Sequence, residues 1–482
     1  MAKNNTSVRP FGMRDKLGYA MGDMGCGFSF QLLSTYMQLF YYQTIGIKPE
    51  HYAAIILISK FWDAINDVLI GNMVDTKRIG KKSKFMPWIL LGGVLLVGLT
   101  IMVFAPVNSF LSSYSAKVAW CLISYCLWSV AYTMVNVPYG SLLSVITNDM
   151  SQRTSLSTFR SIGAALPAVV IMIILPKIVY HEEKLANGET QQTLIGQNLF
   201  IVSIILSLLA LLVLWGTTKL VTERVKTVDS GNNTTGAKAF LGAFKSFFTN
   251  RPMVGATIAT VASVALFNST MSLNNMVFQY FFKDTDSMGI AMVGSYLPMV
   301  VVMATIGKIT KKFGKKKAVA YSMLISAVAG LAMLFIPIEP TKTGMIIYVV
   351  ELMFLNVGNS VFQIGVWAIV ADCIEISFRK TGKSEEGTLY ALYSFFRKLS
   401  QGIGQAASSL GLAAIGFVEG EGAIQPENFG SDVKTLYFIL LFVGSLIAFL
   451  SMTFVYNITH EQEIEFGNTK PEFASDEDII KE

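Results

Sequence analysis

The stretch "SKFWDAIND", Ser59 to Asp67, sits in the middle of a long apolar run and yet carries a lysine, two aspartates and an asparagine. An ionisable group at the centre of a membrane helix costs about 2.5–3.5 kcal/mol on insertion scales, so it is a functional candidate wherever it is found. At 100° per residue Asp63 and Asp67 lie about 40° apart on one helical face. Lys60 falls one turn earlier on that face, and Asn66 lies about 60° to the other side of Asp63. All four groups can therefore point into a helix bundle. Two carboxylates and an amide carbonyl are hard oxygen ligands suited to Na⁺ or Li⁺. Two neighbouring carboxylates can equally share a proton, because both do not ionise easily together. The alternative is a structural ion pair between Lys60 and Asp63.

The rest of the chain makes a bundle the expected setting. Of 482 residues, 52% are hydrophobic and only 15% charged, against about 25% charged in soluble domains. Twelve runs of the length that spans a bilayer are centred roughly at residues 32, 62, 96, 131, 168, 206, 267, 298, 328, 359, 402 and 444. Backbone polar groups must be satisfied inside lipid, so the fold class is an all-α membrane protein with twelve transmembrane helices and no lipid-exposed sheet. Thirty of the 38 Lys and Arg fall in one alternate set of connections, seven in the other, and one, Lys60, inside a helix. By the positive-inside rule both termini are cytoplasmic, in a multi-pass protein of the cell (inner) membrane. Basic residues sorted by loop rather than by face argue against a nucleic-acid partner. The N-terminus "MAKNNTSVRPFGMRDK" has no signal-peptide pattern. Cys26, Cys121, Cys126 and Cys373 lack metal-ligand spacing and read as small core residues.

Two halves are expected. The polar, Gly-rich "DSGNNTTGAK" lies in a cytoplasmic linker at 219–251. It separates a six-helix half at 1–218 from another at 252–457, and an acidic, flexible cytoplasmic tail follows at 458–482. "GNMVDTKRIGKKSK" from Gly71 and "GKITKKFGKKKA" from Gly307 occupy the same place in each half. Such repeats are a transporter trait, with the ligand site between them near the midplane. The alternative is two ordinary basic turns. Residues 419–434 are the largest expected outside loop.

Further polar groups lie at membrane depth. Thr133 and Asn136 share a face of the fourth segment, where Pro138 loosens the backbone hydrogen bonding. Arg160 lies near the inner end of the fifth segment, where it serves the cavity or snorkels to the interface. Arg397 and Lys398 stand about two turns into the eleventh, and being 100° apart, only one of them faces the cavity. Asp23, Trp367, Asp372 and Glu375 complete the set. The last two lie near the cytoplasmic end, placed to pair with Arg397 or with loop basic residues as a gate does. His51, His181 and His460 all lie in loops or the tail. With no phosphate-binding loop or nucleophile–base set, the chain reads as a non-enzyme without cofactor, powered by an ion or solute gradient.

"FWDAIND", "GNMVDTKRIGKKSKFMPW", "NVPYGSL" and "EGTLYALYSFFRK" together resemble the glycoside–pentoside–hexuronide:cation symporter family, a branch of the major facilitator superfamily. The resemblance runs from about Lys16 to Tyr456. By that resemblance Asp63, Asn66, Asp67 and Thr133 match the cation site of the family's melibiose-transporting members, with the residue types that go with Na⁺ use; Asp63 and Asp67 are the Na⁺ ligand candidates. The aspartates that hold galactosides fall here on Gly27 and Asn136. Arg160 and Lys398 match cavity basic residues, and "SFFRK" looks most like the glucuronide-transporting branch. The resemblance implies cation-coupled (Na⁺ or H⁺) symport of a glycoside or hexuronide by alternating access, with the protein working as a monomer in the lipid bilayer. The sugar site is expected from Asp23, Gly27, Asn136, Arg160, Trp367, Arg397 and Lys398, and gating from Lys60, Asp75, Asp372 and Glu375. The rival readings are a major facilitator transporter for a non-sugar amphiphile (lipid or drug) and a membrane-embedded enzyme using the aspartate pair with a divalent metal.

Overall fold

In the computed structural model of the protein the described residues are 9–77, 79–80, 83–147, 149–184, 190–224, 245, 247–381 and 386–468. The first half comprises α1 (Met13–Leu39), α2 (Pro49–Thr76), α3 (Met86–Val103), α4 (Tyr114–Ile146), α5 (Met150–Val169), a single-turn α6 (Pro176–Val179) and α7 (Gly196–Leu220). The second comprises α8 (Arg251–Met276), α9 (Met288–Ser295), α10 (Leu297–Phe313), α11 (Lys315–Phe335), α12 (Lys342–Thr381), α13 (Glu386–Ala414), α14 (Phe429–Leu450) and α15 (His460–Asn468). Among the described residues nine helices are long and apolar enough to cross a membrane. α1, α2 and α13 are as long, at 27, 28 and 29 residues, but fall outside that apolar set. These three carry Asp23, the aspartate cluster and Lys398.

The same five pairings recur in both halves. α1 packs on α5 and α7, α3 on α4 and α7, and α2 on α4; likewise α8 packs on α13 and α14, α11 on α12 and α14, and α10 on α12. The repeat extends to single side chains. Glu223, just after α7, accepts from Ser83 Oγ (2.6 Å) and from the Lys84 and Phe85 N–H groups (3.0 and 3.1 Å) at the start of α3. Glu463, in the helix after α14, accepts from the Lys315 and Lys316 N–H groups (2.9 and 3.2 Å) at the start of α11. Each carboxylate meets the unsatisfied N–H groups and positive dipole end of the third long helix in its half. Gly314 makes the α10–α11 joint in the left-handed region, φ +80°, a conformation open to glycine. On the same terminal face Asp15 is fully buried between Arg9 and Arg224, each at 2.8 Å, which ties the start of α1 to the chain leaving α7.

The tail departs from expectation. Instead of a flexible segment, its first part is the helix α15, seated on α11 and α12, with Glu463 buried; residues 469–482 lie outside the described set, as does most of the linker. The α6–α7 connection is a two-stranded antiparallel hairpin, β1 (Tyr180–Lys184) and β2 (Thr190–Leu194), with Tyr180 opposite Leu194. Its Gln192 carbonyl meets Gln279 on the face opposite the termini, where the Gly420 N–H also meets the Tyr42 carbonyl.

The halves meet unevenly. α2 packs along α13, whereas on the counterpart side the π-helical turn Val170–Ile174 after α5 touches α9. A Cβ at Gly289 would stand 2.1 Å from the Met172 carbonyl oxygen, so only glycine permits that approach. Hydrogen bonds joining the halves cluster on the face away from the termini. Asn275 Nδ2 donates to the Thr35 carbonyl (3.1 Å), Gln38 Nε2 to Ser409 Oγ (3.3 Å), and the Gly420 N–H to the Tyr42 carbonyl (3.0 Å). Toward the terminal face Trp367 and Tyr390 are exposed, at 40% and 46%. Among the described residues the halves are thus hydrogen-bonded together on the far face, while Tyr390 lines a cleft toward the termini.

Candidate functional site

Helix α2 places Asp63, Asn66 and Asp67 toward α4, and Trp62 fixes the pairing by donating its indole N–H to the Cys126 carbonyl (3.2 Å). Ser129 Oγ donates to Asp63 Oδ1 (2.8 Å). Thr133 Oγ1 donates to Asp67 Oδ1 (2.9 Å) and accepts from Asn66 Nδ2 (3.1 Å). Asn66, Ser129 and Thr133 are each at most 2% exposed. The four residues expected to hold a cation thus converge, and the structure adds Ser129. Ser129 stands one turn before Thr133 on the same face of α4, and that i, i+4 spacing is the signal that finds it.

Lys398 closes the cluster from the other half. Its ammonium pairs with Asp67 Oδ2, so this residue, expected among the sugar ligands, stands beside the residues expected to hold a cation. Its neighbour Arg397 points elsewhere, with its guanidinium 4.6 Å over the Trp367 ring and its Nε buried without a hydrogen-bond partner among the described residues. The 100° between adjacent helical residues separates the two roles. Trp367 in turn packs against Tyr390 (6.3 Å between centroids). A cleft of about 750 Å³ between α2 and α13 holds Asp67 and Lys398 in its wall, with Ile65, Leu69, Tyr390 and Phe395 around them.

Elsewhere in the first half Arg160 of α5 reaches Asp23 of α1 (Nε to Oδ1, 3.3 Å) and lies 5.3 Å over the Tyr139 ring. Tyr139 is itself stacked on Tyr19 (4.9 Å) and donates to the Tyr19 carbonyl (2.8 Å). A Cβ at Gly22 would meet the Tyr139 ring at 2.3 Å. Arg160 is thus oriented by a carboxylate and an aromatic face, and it stays 41% exposed. Asn136 is half-buried on α4, three residues from Thr133. Gly27 is placed differently from the expectation of a sugar contact: a Cβ there would lie 3.0 Å from Pro167 of α5, making it a packing point between α1 and α5.

The expected gating residues divide. Lys60 is buried and, among the described ion pairs, has none with Asp63; its ammonium lies 5.7 Å over the Tyr125 ring. Asp372 does not pair with Arg397 but takes both oxygens to Lys315 Nζ, each at 2.7 Å. Glu375 pairs with Arg379 (2.7 Å), which also reaches Glu465 of α15 (2.8 Å). Lys315 opens α11 and Arg379 lies near the end of α12, so these basic partners are helix-end residues of the second half. The side chain of Asp75 lies outside the described residues.

This arrangement offers five oxygen-bearing side chains and one resident ammonium at a single point, with a second charged pair, Arg160 and Asp23, between α5 and α1. The comparisons with known proteins agree with a transporter. The family model described as MFS/sugar transport protein matches residues 18–460. The uncharacterized symporter YjmB of Bacillus subtilis (strain 168) is 28% identical over 459 residues, covering 94% of each chain. The isoprimeverose transporter of Lactiplantibacillus pentosus is 27% identical over 413 residues, covering 84% of this chain and 81% of the relative. The crystal structure of the nucleoside transporter NupG superposes with a TM-score of 0.61 at 14% identity, over 93% of this chain and 100% of that one, a likeness of fold alone.

Proposed function

Because the chain belongs to the MFS/sugar transport protein family, and is thereby a multi-pass secondary transporter of sugars, we propose that it is a cation-coupled symporter of a glycoside or hexuronide, driven by Na⁺ or H⁺. The observation that carries this is the convergence of Asp63, Asn66, Asp67, Thr133 and Ser129 with the Lys398 ammonium on Asp67. α1, α2 and α13 join the nine apolar helices as spans, giving twelve crossings by a monomer with both termini cytoplasmic.

A coupling cation and the Lys398 ammonium compete for the same carboxylates. When Na⁺ is held by Asp63 and Asp67 with the Asn66 and Thr133 oxygens, or a proton by the carboxylates, Lys398 loses its partner. A half-buried ammonium without a counter-charge is disfavoured, so Lys398 turns to a substrate oxygen. The sugar then spans from Arg160 and Asp23 to Trp367 and Arg397, with Asn136 on its path. Each ligand lowers the cost of binding the other, which is a coupling free energy shared between two sites. The unpartnered Arg397 Nε suits a carboxylate, while the relative named for isoprimeverose supports a neutral glycoside equally. Asp372, Glu375, Asp75 and Lys60 remain gating candidates.

Counterflow in proteoliposomes with a panel of glycosides and glucuronides, with and without Na⁺ at two pH values, tests the proposal. One member should exchange, and Na⁺ or low pH should stimulate it; a panel in which nothing exchanges under any condition counts against it. A second reading, transport of a non-sugar amphiphile, is favoured by one observation, the apolar walls that Ile65, Leu69 and Phe395 give the cleft beside Asp67.

A further inference from the structure

On the face opposite the termini two buried amides grip each other. Gln43 Nε2 donates to Gln279 Oε1 (3.0 Å), and Gln279 Nε2 donates back to Gln43 Oε1 (3.2 Å). The second proton of each amide is also placed: Gln43 Nε2 reaches the Tyr280 hydroxyl (3.2 Å), and Gln279 Nε2 the Gln192 carbonyl of the hairpin (2.8 Å). That carbonyl accepts only, so it fixes which end of each amide is nitrogen. Gln43 is 4% exposed and Gln279 1%.

The two residues are also repeat mates. They stand 236 positions apart, as do Gly71 and Gly307 of the repeated loop motif. Each lies in the π-helical turn that ends the first long helix of its half, Phe40–Ile45 after α1 and Val277–Phe281 after α8. Such turns frequently mark functional positions. A reciprocal amide pair is self-complementary, so it is the chemistry that two copies of one residue can use where a local two-fold brings them together.

We propose that Gln43 and Gln279 form the outer gate of the transport cycle: the pair must part for the cavity to open to the face opposite the termini, and it re-forms each time that face closes. The inference rests on the alternating-access reading above. Gln192 gives the hairpin a share in the latch, and the Asn275–Thr35 contact, one turn before Gln279 and two before Gln43, widens the seal.

The test has two arms. In the first, Gln43→Cys/Gln279→Cys protein is bridged in proteoliposomes with a short, reducible bis-thiosulfonate, with the parent treated alike because three of its cysteines are buried and Cys126 is half-buried. Bridging should cut net sugar transport at least about tenfold, leave sugar binding in detergent within about twofold, and be reversed by reductant. Transport at the unbridged rate, or loss of binding together with transport, overturns the proposal. The second arm needs no substrate, so it stands even if the sugar reading fails. Gln279→Leu should speed hydrogen–deuterium exchange of the peptide covering Phe40–Ile45 by at least about fivefold in detergent. Parental exchange in a variant that elutes as the parent does overturns it.

Discussion

Lys398 of α13 and Asp67 of α2 form an ion pair that joins the two halves directly at the oxygen cluster of Asp63, Asn66 and Thr133. A charge from the second half thereby sits where a coupling cation would be held by the first. Removing it should separate cation affinity from coupling. Lys398→Gln is expected to lower the half-saturating Na⁺ concentration, or raise the apparent protonation affinity, about tenfold, equivalent to roughly 1.4 kcal/mol, while slowing net uptake. Sodium-dependent counterflow measures both. Unchanged cation dependence together with unchanged uptake would mean that the pair is only structural.

Asp67→Ala should abolish cation-stimulated uptake, since it removes the carboxylate shared by Thr133 and Lys398. A variant whose uptake still responds to Na⁺ and to pH as the parent does would place the cation elsewhere.

Thr133→Val distinguishes the two candidate ions. A metal cation needs the hydroxyl oxygen as a ligand; a proton needs only the carboxylates. If the driving ion is Na⁺, the half-saturating concentration should rise about tenfold or more, as loss of an outer or weak ligand does, with the pH profile kept. If it is H⁺, the Na⁺ response is absent from the parent, and Thr133→Val should alter uptake only modestly.

The parts of this site that are legible from sequence are those whose cost betrays them. Asp63, Asn66 and Asp67 stand out because charge is expensive in lipid, and helical periodicity then says they share a face. Ser129 carries no such cost: a hydroxyl in an apolar helix can bond to its own backbone, as Ser141 does to the Val137 carbonyl. The division between Arg397 and Lys398 is visible as a rule but not as an assignment, because nothing local says which of two adjacent residues turns to Trp367. Asp372 reads as a gate-like acid, yet its partner Lys315 lies 57 positions away, and long-range pairing is set by packing. Glu223 and Glu463 look like ordinary loop charges; their capping role needs the helix starts to be placed in space.

Arg160 is held on two sides, by Asp23 and by the Tyr139 ring. Arg160→Gln should therefore lose sugar binding by at least about tenfold, whereas Asp23→Asn should lose less, because the aromatic face still orients the guanidinium with roughly 0.5–1 kcal/mol or more. Substrate affinity by equilibrium binding checks the order. An Asp23→Asn loss exceeding that of Arg160→Gln would make Asp23 the direct sugar ligand.

Glu223 and Glu463 do the same work at equivalent places, capping the starts of α3 and α11. Loss of such a cap costs about 0.5–2 kcal/mol. Glu223→Ala and Glu463→Ala should each lower thermal stability in detergent by comparable amounts, and the double variant by their sum, since distant sites with no shared partner add within about 0.3–0.5 kcal/mol. Glu463 carries one further contact, His460 Nδ1 at 3.1 Å, so its removal should also loosen α15. Limited proteolysis after residue 458 ought then to quicken in Glu463→Ala and not in Glu223→Ala. Equal proteolysis in both would detach α15 from the cap and leave Glu463 as a helix-start ligand alone.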